Sequence, residues 1–224
     1  MKKIVFPLLI IVFLVSCNTR SDAEKVKARE AKKAAVGSGE EYNLIAEASD
    51  LRWKGIKPTG EHVGTVDITT GKVSADEGKI TAGHILINMT TIVNEDITNP
   101  ERNAKLVNHL KSEDFFHVSE FPTAAFEFVS VEKIENADTP AEGGIVPTHN
   151  VTGNLTMRGT TKSITFPARI ESEGNKILVL SNPFAIDRTK WNVNFKSKSI
   201  FAELRDDFIH DDIILSLDLE FAKN

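Results

Sequence analysis

From Tyr42 onward the chain alternates apolar and polar positions. In Ile164, Phe166, Ala168 and Ile170 one face is apolar while Ser163, Thr165 and Arg169 take the other. Ile213, Leu215, Leu217 and Leu219 repeat that pattern against Ser216, Asp218 and Glu220, and Phe126 and Phe128 share a face in the same way. A period of two marks a strand with one buried side. Eight segments of β character recur, at residues 42–54, 62–70, 79–91, 123–134, 149–157, 163–171, 176–184 and 213–221, with turn signals such as Pro58-Thr59-Gly60 between them. This spacing predicts a mainly β sandwich or barrel, read here as an antiparallel sheet closed on itself, and excludes an α/β architecture. Residues 99–111 break the pattern: Pro100 suits a first helical turn, and Ala104, Leu106, Val107 and Leu110 fall at helical spacing. One helix is expected there, and a further short piece within 188–202.

The first residues follow another rule. Met1-Lys2-Lys3 precedes a run over 4–15 that is apolar apart from Pro7 and too short to cross a bilayer as a permanent helix. It ends in Leu14-Val15-Ser16-Cys17, which matches a bacterial lipobox. Residues 1–16 therefore read as a signal peptide and Cys17 as the lipidated N-terminus, whose acyl chains hold the protein on a membrane. Asn18 stands where an inner-membrane retention signal carries Asp, so the expected location is the cell envelope, at the outer membrane facing the periplasm. Cys17 is the only cysteine, which excludes disulfides and thiol catalysis in the mature fold. Residues 17–41 read as a tether: Ser21 with Glu24 fits a capping box, the Ala/Lys/Glu/Arg run favours helix, and Gly37-Ser38-Gly39 follows. A short solvated helix or a disordered spacer is expected, with residues 42–224 as the folded domain.

Composition narrows the function. With 224 residues, 41% hydrophobic and 26% charged, the chain is globular, and a formal charge of −5 argues against a nucleic-acid partner. None of the six histidines pairs with another at metal-ligand spacing, the Asp206-Asp207 and Asp211-Asp212 pairs lack an EF-hand ladder, and no nucleophile elbow, Walker loop or dinucleotide-binding glycine loop is present. Neither metal nor cofactor is expected. There is instead a surplus of thirteen phenylalanines, among them Phe115, Phe116, Phe126, Phe128, Phe166 and Phe184. An eight-stranded barrel is just wide enough either to fill itself or to hold one slender ligand. The residues alone leave both open, as they leave open an enzyme that uses a carboxylate or histidine pair.

Several ordered motifs point one way. Trp53-Lys54-Gly55, His62-Val63-Gly64-Thr65, His109-Leu110-Lys111-Ser112-Glu113-Asp114-Phe115-Phe116, Phe121-Pro122-Thr123-Ala124-Ala125-Phe126 and the run from Gly153-Asn154-Leu155-Thr156-Met157-Arg158 to Gly159-Thr160-Thr161-Lys162 resemble the YceI-like family in order and spacing. The resemblance implies a lipocalin-like eight-stranded antiparallel barrel with one or two short helices, whose cavity binds a polyisoprenoid or fatty amphiphile without catalysis. It makes the phenylalanines a cavity lining and suggests a homodimer. Arg158, Lys162, His62 and Trp53 become candidates for contact with a polar head. The chain departs from the family pattern in having His117 after the Phe pair, Phe121 before Pro122, and Trp191-Asn192 where an aromatic residue, usually Phe, and Gly are expected. Trp191 therefore joins the candidate lining as a residue that reshapes it.

Overall fold

The computed structural model describes residues 23–136 and 144–223. The signal segment and Cys17 lie outside the described residues. Two short pieces come first, β1 (Glu24–Lys25) and β2 (Arg29–Glu30). There follow β3 (Glu40–Leu44), β4 (Asp50–Lys57), β5 (Gly60–Thr65), β6 (Ile68–Asp76), β7 (Lys79–Asn88) and β8 (Val93–Asn94). After the helix α1 (Pro100–Lys111) come β9 (Thr123–Lys133), β10 (His149–Met157), β11 (Thr160–Glu173), β12 (Lys176–Ser181), β13 (Phe184–Asp187) and β14 (Asp212–Ala222).

Eight of these strands close a ring in the order β14, β12, β11, β10, β9, β7, β6, β3 and back to β14, every pairing antiparallel. Each strand of the ring thus has a partner on both sides along at least part of its length. The expected eight-stranded antiparallel barrel is present. β4, β5 and β8 extend the sheet beyond the ring from the first half of β14, where Ile213 faces Gly55 and Asp218 faces Asp50. The helix starts as its sequence dictates: the Asn99 side chain accepts the Arg102 N–H at 2.9 Å, and Pro100 fills the first turn.

The expected strand limits need correction where strands change partners. Residues 42–54 split into β3 and β4 at a 3-10 turn, Ala46–Ala48. There the Ser49 hydroxyl donates to the Ile45 carbonyl and accepts from the Glu220 N–H, standing in for ladder bonds. Residues 62–70 split at Val66 and Asp67, and the second piece runs on to Asp76, burying Val73 and Ala75. Residues 176–184 break at Asn182-Pro183. The region 188–202 supplies a 3-10 turn, Arg188–Trp191, and one isolated bridge between Ser197 and Ile209.

The larger correction concerns residues 23–41, which are neither a solvated helix nor a spacer. They form an extended strap that first fills a gap in the barrel wall, over residues 24–30, then runs on to the corner at Gly39 and into β3. β1 pairs with β13 and β2 with β11; the Asn154 amide then brackets Lys32, accepting its N–H at 2.9 Å and donating to its carbonyl at 2.6 Å. Further along, Ala35 N–H donates to Phe128 O at 3.0 Å. That carbonyl is free because β9 carries a bulge: Phe128 faces Gly153, Ser130 faces Thr152, and Val129 is the extra residue. Gly37-Ser38-Gly39 is a tight corner. A Cβ on Gly39, at φ 88°, would stand 2.1 Å from Ala75 O, so only glycine turns the strap into β3.

The interior has two unlike halves. Toward β11 and β13 it is filled: Phe166 stacks on Phe184 with centroids 4.6 Å apart, Phe126 meets Phe166 at 5.8 Å, and Phe128 meets Phe126 at 5.3 Å. All four rings are buried. The Phe126 ring lies over the neighbouring strand β10 because Gly153 has no side chain; a Cβ there would lie 2.1 Å from the ring. Gly153→Ala should therefore destabilise the protein by about 1–3 kcal/mol through overpacking, measured as the shift in urea midpoint at unchanged slope.

Candidate ligand cavity

The other half is open. Between β4, β7, β10, β14 and the segment after α1 lies a cavity of about 110 Å³. Leu51, Trp53 and Gly55 enter it from successive inward positions of β4, Leu155 and Met157 from β10, and Phe115 and Phe116 from the loop after α1. The polar side chains at its boundary are Arg188, His210 and Asp212, at one end.

Each wall has a local cause. The Trp53 indole lies over Gly64, where a Cβ would come within 2.8 Å of the ring, and its Nε1 donates to Thr65 O at 3.3 Å. Phe115 is held in an aromatic set with His109, centroids 5.0 Å apart, and Phe195, 5.4 Å apart. Arg158 fixes the backbone of that loop. It sits at φ 47° in the β10–β11 turn and donates to the carbonyls of Glu113 at 2.8 Å, Phe115 at 2.7 Å and Asn192 at 2.8 Å.

The sequence-based candidates thus divide. Trp53, Phe115 and Phe116 come together at the cavity. Phe126, Phe128, Phe166 and Phe184 instead pack against one another and fill the barrel beyond it. Trp191 is fully buried and donates from Nε1 to Leu155 O at 2.9 Å, bracing the cavity wall from behind. Arg158 positions a loop, and its guanidinium is committed to three carbonyls. Lys162 reaches outward to Glu30 of the strap at 2.7 Å. His62 bonds Asp96 at 2.8 Å near the β5–β8 edge. The aliphatic lining, Leu51, Leu155, Met157, Ile186 and Leu215 with Gly55, was not singled out by sequence, because such residues carry the same pattern whether they face a void or a neighbour.

Electrostatics at the polar end centre on Arg188. Its guanidinium is 1% exposed and donates to His210 O at 3.1 Å, Val193 O at 2.6 Å and Ile209 O at 3.1 Å, with the Asp211 carboxylate 3.8 Å away. Burial lowers its pKa, opposed by Asp211 and Asp187. All three guanidinium nitrogens are engaged, and with Asp211 and Asp187 beside it Arg188 offers the cavity no free donor. The histidine–carboxylate pairs, His62 with Asp96, His109 with Asp114 and His117 with Glu120, stand outside the lining. Apart from Arg188, His210 and Asp212 at one end, the walls are aliphatic and aromatic, which is the chemistry of a pocket suited to apolar matter.

The His62–Asp96 pair has a measurable consequence of another kind. Burial pushes the Asp96 carboxyl up, but the Val63 N–H, His62 and Asn94 outweigh it and hold the group at about 2. An unfolded aspartate titrates near 3.9, so the folded state favours the carboxylate, and this stabilisation is present above about pH 4 and lost as pH falls toward about 2. Since the side chain is 32% exposed, solvent screening leaves roughly 1 kcal/mol. Asp96→Asn should cost about that much in urea unfolding near neutral pH and progressively less as pH falls from about 4 through about 2.

Comparison with known proteins follows the same outline. Over 112 residues the chain is 32% identical to a UPF0312 protein of Shewanella denitrificans, covering 50% of this chain and 51% of that one. Over 112 residues it is 33% identical to Protein YceI of Salmonella arizonae, covering 50% of each. The matched stretch thus spans about half the length of these curated relatives. Among solved structures the barrel resembles Burkholderia cenocepacia BcnA, with a TM-score of 0.59 at 17% identity, covering 79% of this chain and 98% of that one. It also resembles a polyisoprenoid binding domain from Saccharophagus degradans implicated in plant cell wall breakdown, with a TM-score of 0.59 at 16% identity, covering 86% of this chain and all of that one. These likenesses establish the fold. The YceI-like domain model matches residues 42–221, and the chain belongs to that family.

Proposed function

We propose that the protein is a membrane-tethered, non-catalytic lipid-binding protein that holds the end of a polyisoprenoid or similar branched amphiphile in its barrel cavity. The observation that carries this reading is the lining itself: aliphatic and aromatic walls around open space, in a fold shared with a protein described as polyisoprenoid binding. Empty apolar cavities of about 150 Å³ accept a benzene-sized guest. A cavity of about 110 Å³ therefore takes on the order of one five-carbon unit, with the rest of a longer tail leaving by the mouth or displacing the phenylalanine plug. Each five-carbon unit removed from water contributes about 4 kcal/mol, so the first unit alone binds weakly and tail length sets the affinity.

Denaturing extraction and mass spectrometry of the chain from Asn18 onward tests the reading. A co-purified isoprenoid or fatty amphiphile is expected; repeated recovery of nothing apolar, with no binding of added polyisoprenoids, overturns it. Anchorage is tested separately. Cys17→Ala should move the protein from the membrane fraction to the soluble one and leave lipid binding by the purified domain unchanged; loss of both together would contradict this division.

A further inference from the structure

One stretch of barrel wall depends on the N-terminal strap. β11 pairs with β12 only from Ala168 on, and β13 pairs with β14 but not with β11. The slot between the first half of β11 and β13 is occupied by residues 24–30, with β1 parallel to β13 and β2 antiparallel to β11. The hold is slight. Two register pairs bind the strap on each side, against nine where β10 meets β11. Its inward side chains are Val26, which is buried, and Ala28.

The inward residues that flank the slot lead to the interior. Ile186 of β13 faces the cavity, and Phe166 of β11 stacks on Phe184 of β13 at the start of the aromatic plug. The outward face of the strap carries Lys25, Lys27 and Arg29, followed by Lys32 and Lys33, all exposed; Lys25 pairs with Asp212 at 2.6 Å, and the two carboxylates of the segment, Glu24 and Glu30, alternate with these cations, Glu30 pairing with Lys162. This cationic stripe lies on a chain of net negative charge. Cys17 precedes Glu24 by seven residues, a reach of at most about 24 Å.

We propose that residues 23–36 are a displaceable strip of barrel wall, which an anionic bilayer surface draws outward by its cationic face, opening the apolar interior sideways to the membrane. What enters rests on the lipid-binding reading above; the opening does not. Clusters of Lys and Arg beside a membrane are attracted to anionic headgroups, and wall segments with few ladder bonds open below the global unfolding limit.

Two measurements decide it, both on the chain from Asn18 onward. In hydrogen exchange, the Val26 and Ala35 amides, donated to Ala185 O and Phe128 O, should exchange about a hundredfold faster than that of Val151 in β10, and faster still with phosphatidylglycerol vesicles but not with phosphatidylcholine vesicles. Equal protection of strap and β10 would overturn the opening, and equal response to both vesicles would overturn the role of bilayer charge. The second measurement locks the strap by pairing Glu30→Cys with Lys162→Cys, positions that face each other in register. Oxidation should slow uptake of geranylgeraniol from phosphatidylglycerol vesicles by about tenfold or more, and reduction should restore it. Equal uptake by both forms refutes a lateral route. If neither form takes up the probe, the lipid-binding reading fails, while the exchange data still decide whether the strip opens.

Discussion

Gly55→Phe is expected to weaken lipid binding by between about tenfold and about a thousandfold while the barrel stays intact. Gly55 shares the inward face of β4 with Leu51 and Trp53, borders the cavity, and would place a Cβ with no heavy atom within 4 Å. It lies in regular strand pairing with His62 and Ile213, a conformation open to any residue. A phenyl ring built from that position occupies the room a five-carbon unit needs. Losing one such unit removes about 4 kcal/mol, close to a thousandfold in affinity, and partial relaxation of the ring still leaves a loss above about tenfold. Stability should hold or rise slightly, since glycine inside a strand is worth roughly 0.5–1 kcal/mol less than alanine. Titration with a fluorescent isoprenoid beside urea unfolding separates the two effects. Undiminished binding by a folded Gly55→Phe protein would place the ligand elsewhere.

Much of this barrel is legible from alternation because a barrel wall has one dry face and one wet face. Ile213, Leu215, Leu217 and Leu219 mark β14 for that reason. The breaks are not legible: Ser49 and Asn182 look like ordinary strand or turn residues, and their roles arise only once β14 takes β4 and β13 on its first half and β3 and β12 on its second. The strap misleads for a different reason. Its Ala, Lys, Glu and Arg favour helix in isolation, yet Val26 and Ala28 alternate with Lys25, Lys27 and Arg29, and a waiting slot in the barrel decides in favour of strand. At the site, aromatic content identifies Trp53, Phe115 and Phe116 but cannot tell a lining ring from a filling one. Gly153 makes that choice by admitting the Phe126 ring over β10, toward Phe166. Likewise Arg158 and Lys162 resemble headgroup donors by charge, and only their carbonyl and carboxylate partners reveal them as fasteners of a loop and of the strap.

Arg188→Met should produce the largest loss of stability of any single change considered. The side chain is an internal clamp: Nε, Nη1 and Nη2 reach the carbonyls of His210, Val193 and Ile209, which lie on both ends of the excursion between β13 and β14. Methionine keeps the apolar stem but leaves three carbonyls without their donors and the Asp211 carboxylate without its nearest cation. An unpaired buried acceptor costs about 1–3 kcal/mol, and stripping one partner from a buried charge about 3–5 kcal/mol, out of a total stability of about 5–15 kcal/mol. A loss of roughly 4 kcal/mol is expected in urea unfolding. Lysine in the same place keeps the charge but cannot address three diverging carbonyls at once, so Arg188→Lys should recover only part of it. The damage should also be local before it is global. Val193 and Ile209 hold the excursion shut beside Trp191, whose own bond to Leu155 braces the cavity, so proteolysis within 194–208 should precede unfolding of the barrel and the Trp191 near-ultraviolet signal should fade with it. If the methionine variant stays within about 1 kcal/mol of the native protein, those carbonyls are hydrated by water that reaches them along the cavity's polar end, and that end is then wet enough to receive a polar headgroup.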